Sequence, residues 1–152
     1  MRITTVKAKK VMKFTTNATL KDLDKYTGTK PSELYAEAQR CGYQTMEPQI
    51  WQYTGPDGKP DTVFKLEIML PIIGDGNGLK PEGFEIGEAK EFKALQTLHE
   101  GPWAELGPVY CKLMKHVADN ALQTTGVTRE VYIRCDFENR ENCITEVMIG
   151  LV

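Results

Sequence analysis

A chain of 152 residues, 41% of them apolar, is long enough to bury the core of one domain. Its formal charge of −2 provides no basic field for a phosphate backbone, so we expect no direct nucleic-acid binding. The longest apolar run, IMLPII, is too short to cross a bilayer, and the N-terminal MRITTVKAKKVMKF lacks the apolar segment of a secretory signal. We therefore expect a soluble, cytoplasmic protein that does not bind membranes.

The first half of the chain has the pattern of a strand, a helix and a hairpin. A strand is predicted near residues 11–16, followed by a helical turn in TLKDLDKY and an amphipathic helix between Pro31 and Gly42. The strand sequences PQIWQY and TVFKLEIML flank a Pro-Asp-Gly turn, which predicts a hairpin over residues 49–70.

The second half repeats this order of elements. A strand near residues 89–98 precedes the turn PWAEL, a helix from Pro108 to Asn120, and a hairpin formed by REVYIRC and CITEVMIGLV. A shift of 79 residues aligns the halves without a gap and superposes residues of the two hairpins: Tyr53 on Tyr132, Glu67 on Glu146 and Met69 on Met148. The sequence therefore predicts one domain, 1–152, of two modules at about 1–73 and 89–152, joined by a glycine-rich connector at 74–88.

Two glutamates stand at unexpected places in the predicted strands. In CITEVMIGLV both alternating faces are largely apolar, so Glu146 is expected to point into an apolar surface, and Glu67 has the equivalent place in the first half. If each hairpin is symmetric about its loop, Tyr132 lies opposite Glu146 and Tyr53 lies opposite Glu67. We expect these pairs to share a groove face with Trp51, Met69 and Met148 of the hairpins, and Trp103, at the start of the second helix, could join Tyr132.

A half-buried glutamate has two interpretations. Tyrosine hydroxyls or Lys65 could satisfy the charge, or the sheet face could be open to water. Alternatively, the carboxylate and its aromatic neighbours form a site for a lipophilic cation, because charge attraction and aromatic faces both favour such a guest.

Catalytic and metal-binding patterns are weak in this sequence. His99 stands in the corner sequence HEGPW, where its ring could fix the turn, contact a ligand or transfer a proton. Neither a Ser-His-Asp nor a Cys-His arrangement is visible, and the four cysteines lack metal-ligand spacing. We expect no metal and no cofactor.

The segment PEGFEIGEAKEFKALQTLHEGPWAELGPVYCKLMKHV, followed by REVYI and TEVMIGLV, resembles the GyrI-like small-molecule binding domain. That domain is also the effector-binding domain of AraC-type and MerR-type multidrug regulators. The resemblance covers residues 81–152 directly and 11–73 through the repeat. It implies an α+β fold of two pseudo-twofold related βαββ modules whose antiparallel sheets enclose a ligand groove. It also implies that Glu146 is the acidic ligand contact, with Trp103 and Tyr132 beside it.

Three functions are compatible with this resemblance. The first is a standalone module that senses or sequesters hydrophobic, aromatic or cationic compounds, since the chain offers no segment for the DNA-binding helix-turn-helix of regulatory relatives. The second is a hydrolase of electrophilic cyclopropane-containing toxins, with Glu146 and Tyr132 acting on water. The third is a protein-interaction module like a gyrase-inhibiting relative. A homodimer is compatible with each. The predicted ligand contacts are Glu146, Trp103, Tyr132, Met148, Glu67, Tyr53, Trp51, Met69 and His99.

Overall fold

The computed structural model describes residues 1–45 and 48–152, which form nine strands and three α-helices. The strands are β1 (Arg2–Val6), β2 (Lys9–Ala18), β3 (Gln44–Thr45), β4 (Ile50–Thr54), β5 (Phe64–Ile73), β6 (Glu85–Ala89), β7 (Phe92–Glu100), β8 (Thr124–Arg134) and β9 (Ile144–Leu151). The helices are α1 (Leu23–Thr27), α2 (Lys30–Arg40) and α3 (Leu106–Asp119), and short 3₁₀ turns span Trp103–Glu105 and Arg140–Asn142.

The strands form a mostly antiparallel sheet in the order β1-β7-β9-β8-β4-β5-β2-β6, with β3 paired to β5. The sheet is curled into a half-barrel, and the predicted α+β class is confirmed. Strands β8 and β4 pair at the centre of the sheet. This ladder joins the second-half strands β7, β9 and β8 to the first-half strands β4, β5 and β2. The strands β1 and β6, which the sequence analysis did not predict, add to the two ends by pairing with β7 and β2.

Both predicted long helices are present, with boundaries within two residues of those expected. Pro31 lies in the first turn of α2, where its missing N–H costs nothing. Gly42 follows the helix with a φ of +80°, a conformation that glycine adopts without steric penalty. Of the helices in the described part of the chain, none combines the length and apolar character needed to span a bilayer.

The two faces of the sheet bury different residues. The helix face packs against α2 and α3 and carries the larger clusters, with Leu66 and Ile68 in the first half and Val147 and Ile149 in the second. The outer face carries two smaller clusters formed by Val11, Ile50, Met69, Ala89, Phe92, Ala94 and Met148. Side chains that alternate along β4, β5, β8 and β9 therefore divide between these two named faces.

The pairing predicted within each hairpin is wrong by one residue. In β8–β9, Arg134 pairs with Ile144 beside the loop, but a register irregularity follows, and Tyr132 then pairs with Thr145 rather than with Glu146. In β4–β5, Tyr53 pairs with Leu66 rather than with Glu67. Because side chains alternate with a period of two, a slip of one residue places the tyrosines on the helix face and both glutamates on the outer face.

Candidate functional site

A buried carboxylate lies on the helix face where the two halves of the sheet meet. In the β4–β8 ladder, Trp51 is directly opposite Glu130, and Tyr53 and Tyr132 are each two residues farther along their strands. Glu130 is only 8% exposed. Sequence and pairing together therefore place a glutamate among aromatic side chains at the middle of the domain.

Three tyrosine hydroxyls donate to this carboxylate. Tyr110 Oη, from α3, lies 2.7 Å from Glu130 Oε1, and Tyr132 Oη lies 2.5 Å from Oε2. Tyr53 Oη lies 3.4 Å from the same Oε2 and 3.4 Å from the Tyr132 hydroxyl. The carboxylate is thus held by neutral donors from β4, β8 and α3.

Burial keeps these tyrosines protonated. It is the main cause that raises the pKa of Tyr53 and Tyr110, and the negative charge of Glu130 raises both further. Burial also raises the pKa of Tyr132 well above its ordinary value. All three phenols therefore remain donors at physiological pH.

Glu130 has no cationic partner within residues 1–45 and 48–152. Its only polar contacts there are the three phenol hydroxyls. A carboxylate this buried usually has a basic partner, because desolvation disfavours a lone charge. The arrangement leaves a negative charge in an aromatic environment without a counter-ion.

Aromatic rings surround this charge. The ring centroids of Trp51 and Tyr132 are 5.3 Å apart, and those of Trp103 and Tyr132 are 6.0 Å apart, both edge to face. The indole N–H of Trp103 is buried and has no acceptor among the described residues. We call the set Glu130, Trp51, Tyr53, Trp103, Tyr110 and Tyr132 the Glu130 cage.

The corner HEGPW holds Trp103 in this cage. Gly101 has a φ of +137° and donates its N–H to the Cys143 carbonyl at 2.9 Å, which ties the corner to the start of β9. The His99 ring nitrogen Nε2 lies 3.2 Å from the Pro102 carbonyl oxygen and 3.9 Å from a Glu105 carboxylate oxygen. These contacts place His99 in the turn itself.

The two glutamates singled out in the sequence lie on the outer face. Glu67 is 7% exposed and lies 3.1 Å from Lys13 Nζ and 3.5 Å from Lys65 Nζ. Its charge therefore has two basic partners, one of which is Lys65, a partner that the sequence suggests among other possibilities. Met69 is buried on the same face, in a cluster with Val11, Ile50 and Ala89.

Glu146 lines a shallow depression of about 220 Å³ on the outer face. Its other lining residues are Val6, Lys9, Pro48, Ile50, Arg129, Val131, Ile133 and Met148. None of these is aromatic, so the aromatic surroundings expected for Glu146 belong to Glu130 instead.

Sequence reasoning missed Glu130 and Tyr110. A signal for Glu130 was present, because residues two apart in a strand share a face whatever the register, and Glu130 precedes Tyr132 by two. Tyr110 carries no comparable signal, since its meeting with β8 depends on how α3 packs.

The fold is that of the GyrI-like domains. The chain matches no protein-family model and no curated protein by sequence. Among solved structures, the C-terminal domain of EcmrR superposes with a TM-score of 0.81 at 16% identity, covering 99% of this chain and 96% of that domain. In the EcmrR–DNA complex the TM-score is 0.80 at 17% identity, and this chain spans only 56% of the EcmrR chain.

Two further structures share this fold. SAV2435 bound to tetraphenylphosphonium has a TM-score of 0.62 at 12% identity, covering 99% of this chain and 93% of SAV2435. A hydrolase encoded by lin2189 from Listeria innocua has a TM-score of 0.58 at 12% identity, covering 99% and 92% of the two chains. At these identities the likeness establishes the fold.

Proposed function

We propose that this protein is a GyrI-like module that binds lipophilic aromatic cations in the Glu130 cage. The observation that carries the proposal is the buried Glu130 carboxylate, which contacts three neutral tyrosine hydroxyls and no basic side chain of the described chain. A guest cation would supply the missing counter-charge. Trp51, Trp103 and Tyr132 are each partly buried, and their rings would provide apolar walls for the body of the guest.

The energies are sufficient for useful affinity. A charge pair at 4 Å contributes about 4 kcal/mol at an effective dielectric of 20. Each aromatic face adds about 0.5 to 2 kcal/mol for a cation, and burial of apolar ligand area adds about 25 cal/mol per Å². Micromolar binding requires about 8 kcal/mol, and the gross sum of these contributions, before desolvation costs, is of that size.

The fold shared with SAV2435 supports this ligand class and supplies a probe, tetraphenylphosphonium. We place Glu130, Trp51, Tyr53, Trp103 and Tyr132 at the ligand. Glu146, Met148, Glu67 and Met69 face away from it and are not part of the proposed contact surface. We propose that His99 does not contact the ligand but stabilises the corner that positions Trp103.

The geometry supports binding better than hydrolysis. A carboxylate has about four lone-pair directions, and phenol hydroxyls occupy three of those of Glu130. Little accepting capacity is left to orient a water molecule for attack. A sensing or sequestering role therefore fits this site.

Isothermal titration with tetraphenylphosphonium tests the proposal. Glu130→Gln keeps the shape and removes the charge, so we expect the dissociation constant to rise at least about tenfold, which corresponds to ~1.4 kcal/mol. Glu146→Gln is the matched control on the outer face and should bind like the wild type. Neutral triphenylphosphine oxide should bind both proteins weakly and equally.

Equal affinity of the wild type and Glu130→Gln for tetraphenylphosphonium would refute the proposed site. A loss confined to Glu146→Gln would move the site to the outer face. Mass spectrometry of the recovered ligand, with unchanged mass expected, separates binding from turnover.

A further inference from the structure

Arg129, the residue before Glu130 in the sequence, places a positive charge on the outer face of the sheet. Arg129 lies on the outer face and is 3% exposed. Its Nε donates to Gln52 Oε1 at 2.8 Å, and its Nη2 donates to the Lys90 carbonyl oxygen at 3.0 Å. The guanidinium stacks on the Phe92 ring, 4.1 Å from the centroid. These contacts hold the side chain in one orientation.

Arg129 has no carboxylate partner among the residues that the structure describes. Both of its acceptors are neutral, and they use two of the five N–H donors of a guanidinium. The nearby acid, Glu67, is reached only through Gln52, whose Nε2 lies 3.3 Å from Glu67 Oε1, and it already pairs with Lys13. Burial lowers the pKa of Arg129 to about 10, against the smaller opposing attraction of Glu67.

A depression of about 230 Å³ opens beside this guanidinium. Its lining has a basic part and an apolar part. Besides Arg129, exposed Lys90 and Lys93 supply positive charge, with one acid, Glu91. The rest of the lining consists of Gln52, Phe92, Thr125, Val127 and Leu151.

We propose that this depression is a second site, which binds the carboxylate group of a small organic acid with an apolar body. Arg129 presents its unused donors to the two carboxylate oxygens, the geometry that a guanidinium recognises best. Lys90 and Lys93 add long-range attraction, and Phe92, Val127 and Leu151 cover the apolar body. The site is independent of the Glu130 cage, because it lies on the other side of the sheet and selects the opposite charge.

Protein-detected ¹H–¹⁵N NMR with benzoate as the probe tests this site. We expect saturable shifts at the amides of Phe92, Thr125, Val127 and Arg129 at millimolar benzoate. Neutral benzamide, which has the same shape, should produce shifts at least about tenfold weaker in apparent affinity, equivalent to ~1.4 kcal/mol. Inorganic phosphate tests whether the charge alone suffices, and we expect it to bind more weakly than benzoate because it cannot use the apolar lining.

Arg129→Gln should abolish the benzoate shifts while leaving tetraphenylphosphonium affinity unchanged. Benzamide binding as well as benzoate, benzoate binding unchanged in Arg129→Gln, or shifts located elsewhere would each overturn the second site. If Arg129→Gln does not fold, Lys90→Gln/Lys93→Gln decides: a severalfold weaker benzoate affinity supports the site, and an unchanged affinity contradicts it.

Discussion

The two faces of the central β4–β8 ladder show opposite solutions to the burial of charge. On the helix face, Glu130 is surrounded by phenols that are neutral. On the outer face, Glu67 is just as buried but pairs with two lysines, and its neighbourhood extends through Gln52 to Arg129. Equal burial therefore does not imply an equal role: Glu67 has its own cations within the fold, whereas we propose that Glu130 obtains its counter-charge from a bound cation.

We expect the largest effect from removing the tyrosine hydroxyls that donate to the Glu130 carboxylate. Tyr110→Phe/Tyr132→Phe removes the two short donors and leaves Glu130 with only the 3.4 Å contact to Tyr53. We expect a loss of about 3 to 5 kcal/mol in the free energy of unfolding, because a buried charge without donors is costly. Urea denaturation measures it.

Replacing Glu130 with a neutral residue in this double variant should restore most of the lost stability. Glu130→Gln in the same double variant removes the charge, so the triple variant should recover more than half of the lost stability. Glu146→Gln in the double variant is the outer-face control and should recover none. Equal recovery by both substitutions would show that the phenols do not serve the Glu130 charge.

The next largest effect is expected at alkaline pH, where the buried tyrosines of the helix face should make the free energy of unfolding depend on pH. The folded state raises the pKa of Tyr53, Tyr110 and Tyr132 above the ordinary value of 10.0. Above pH 10 the unfolded chain loses these protons while the folded chain keeps them, so stability is full below pH 10 and falls as pH rises further. Each such tyrosine contributes about 1.4 kcal/mol per pH unit.

Tyr110→Phe should reduce this alkaline slope, measured by urea midpoints between pH 8 and 11. Tyr26→Phe, at a tyrosine that is 42% exposed, is the matched control and should leave it unchanged. An identical slope in all three proteins would argue that the cage tyrosines ionise as freely folded as unfolded.

The smallest effect is expected from the ion pairs of the outer face. Lys13→Met removes the closest lysine of Glu67, which keeps Lys65 and Gln52 as partners. The loss in the free energy of unfolding should be about 1 kcal/mol or less, and 1 M salt should reduce it further. If Lys13→Met lowered the free energy of unfolding as much as the tyrosine double variant, the two buried glutamates would not differ in how strongly their partners stabilise the fold.

Periodicity in the sequence was enough to predict the order of the main elements. Helices α2 and α3 have apolar residues at helical spacing, and both hairpins have alternating strands around turn sequences. Strands β1 and β6 have mostly exposed side chains and little such alternation, so no sequence pattern predicts them. The module boundaries remain predictions.

The register was beyond the reach of the sequence. Symmetry about the β8–β9 loop predicts the pair Arg134 and Ile144 correctly, but the irregularity between Tyr132 and Arg134 shifts the pairs from Tyr132 to Thr128 by one. A bulge adds one residue to a strand and has no characteristic sequence, yet it changes which side chains of the two strands share a face of the sheet. Trp51, Tyr53, Trp103 and Tyr132 lie together, as the sequence predicts. The exchange of faces puts Glu130 beside them and Glu146 on the outer face.

A crystal structure of the protein with tetraphenylphosphonium would show directly which face of the sheet binds the cation. We expect the cation to lie on the helix face, with its phenyl groups among Trp51, Trp103 and Tyr132 and its phosphorus facing the Glu130 carboxylate. A cation bound in the outer-face depression beside Glu146, with the Glu130 cage closed and unchanged, would contradict it.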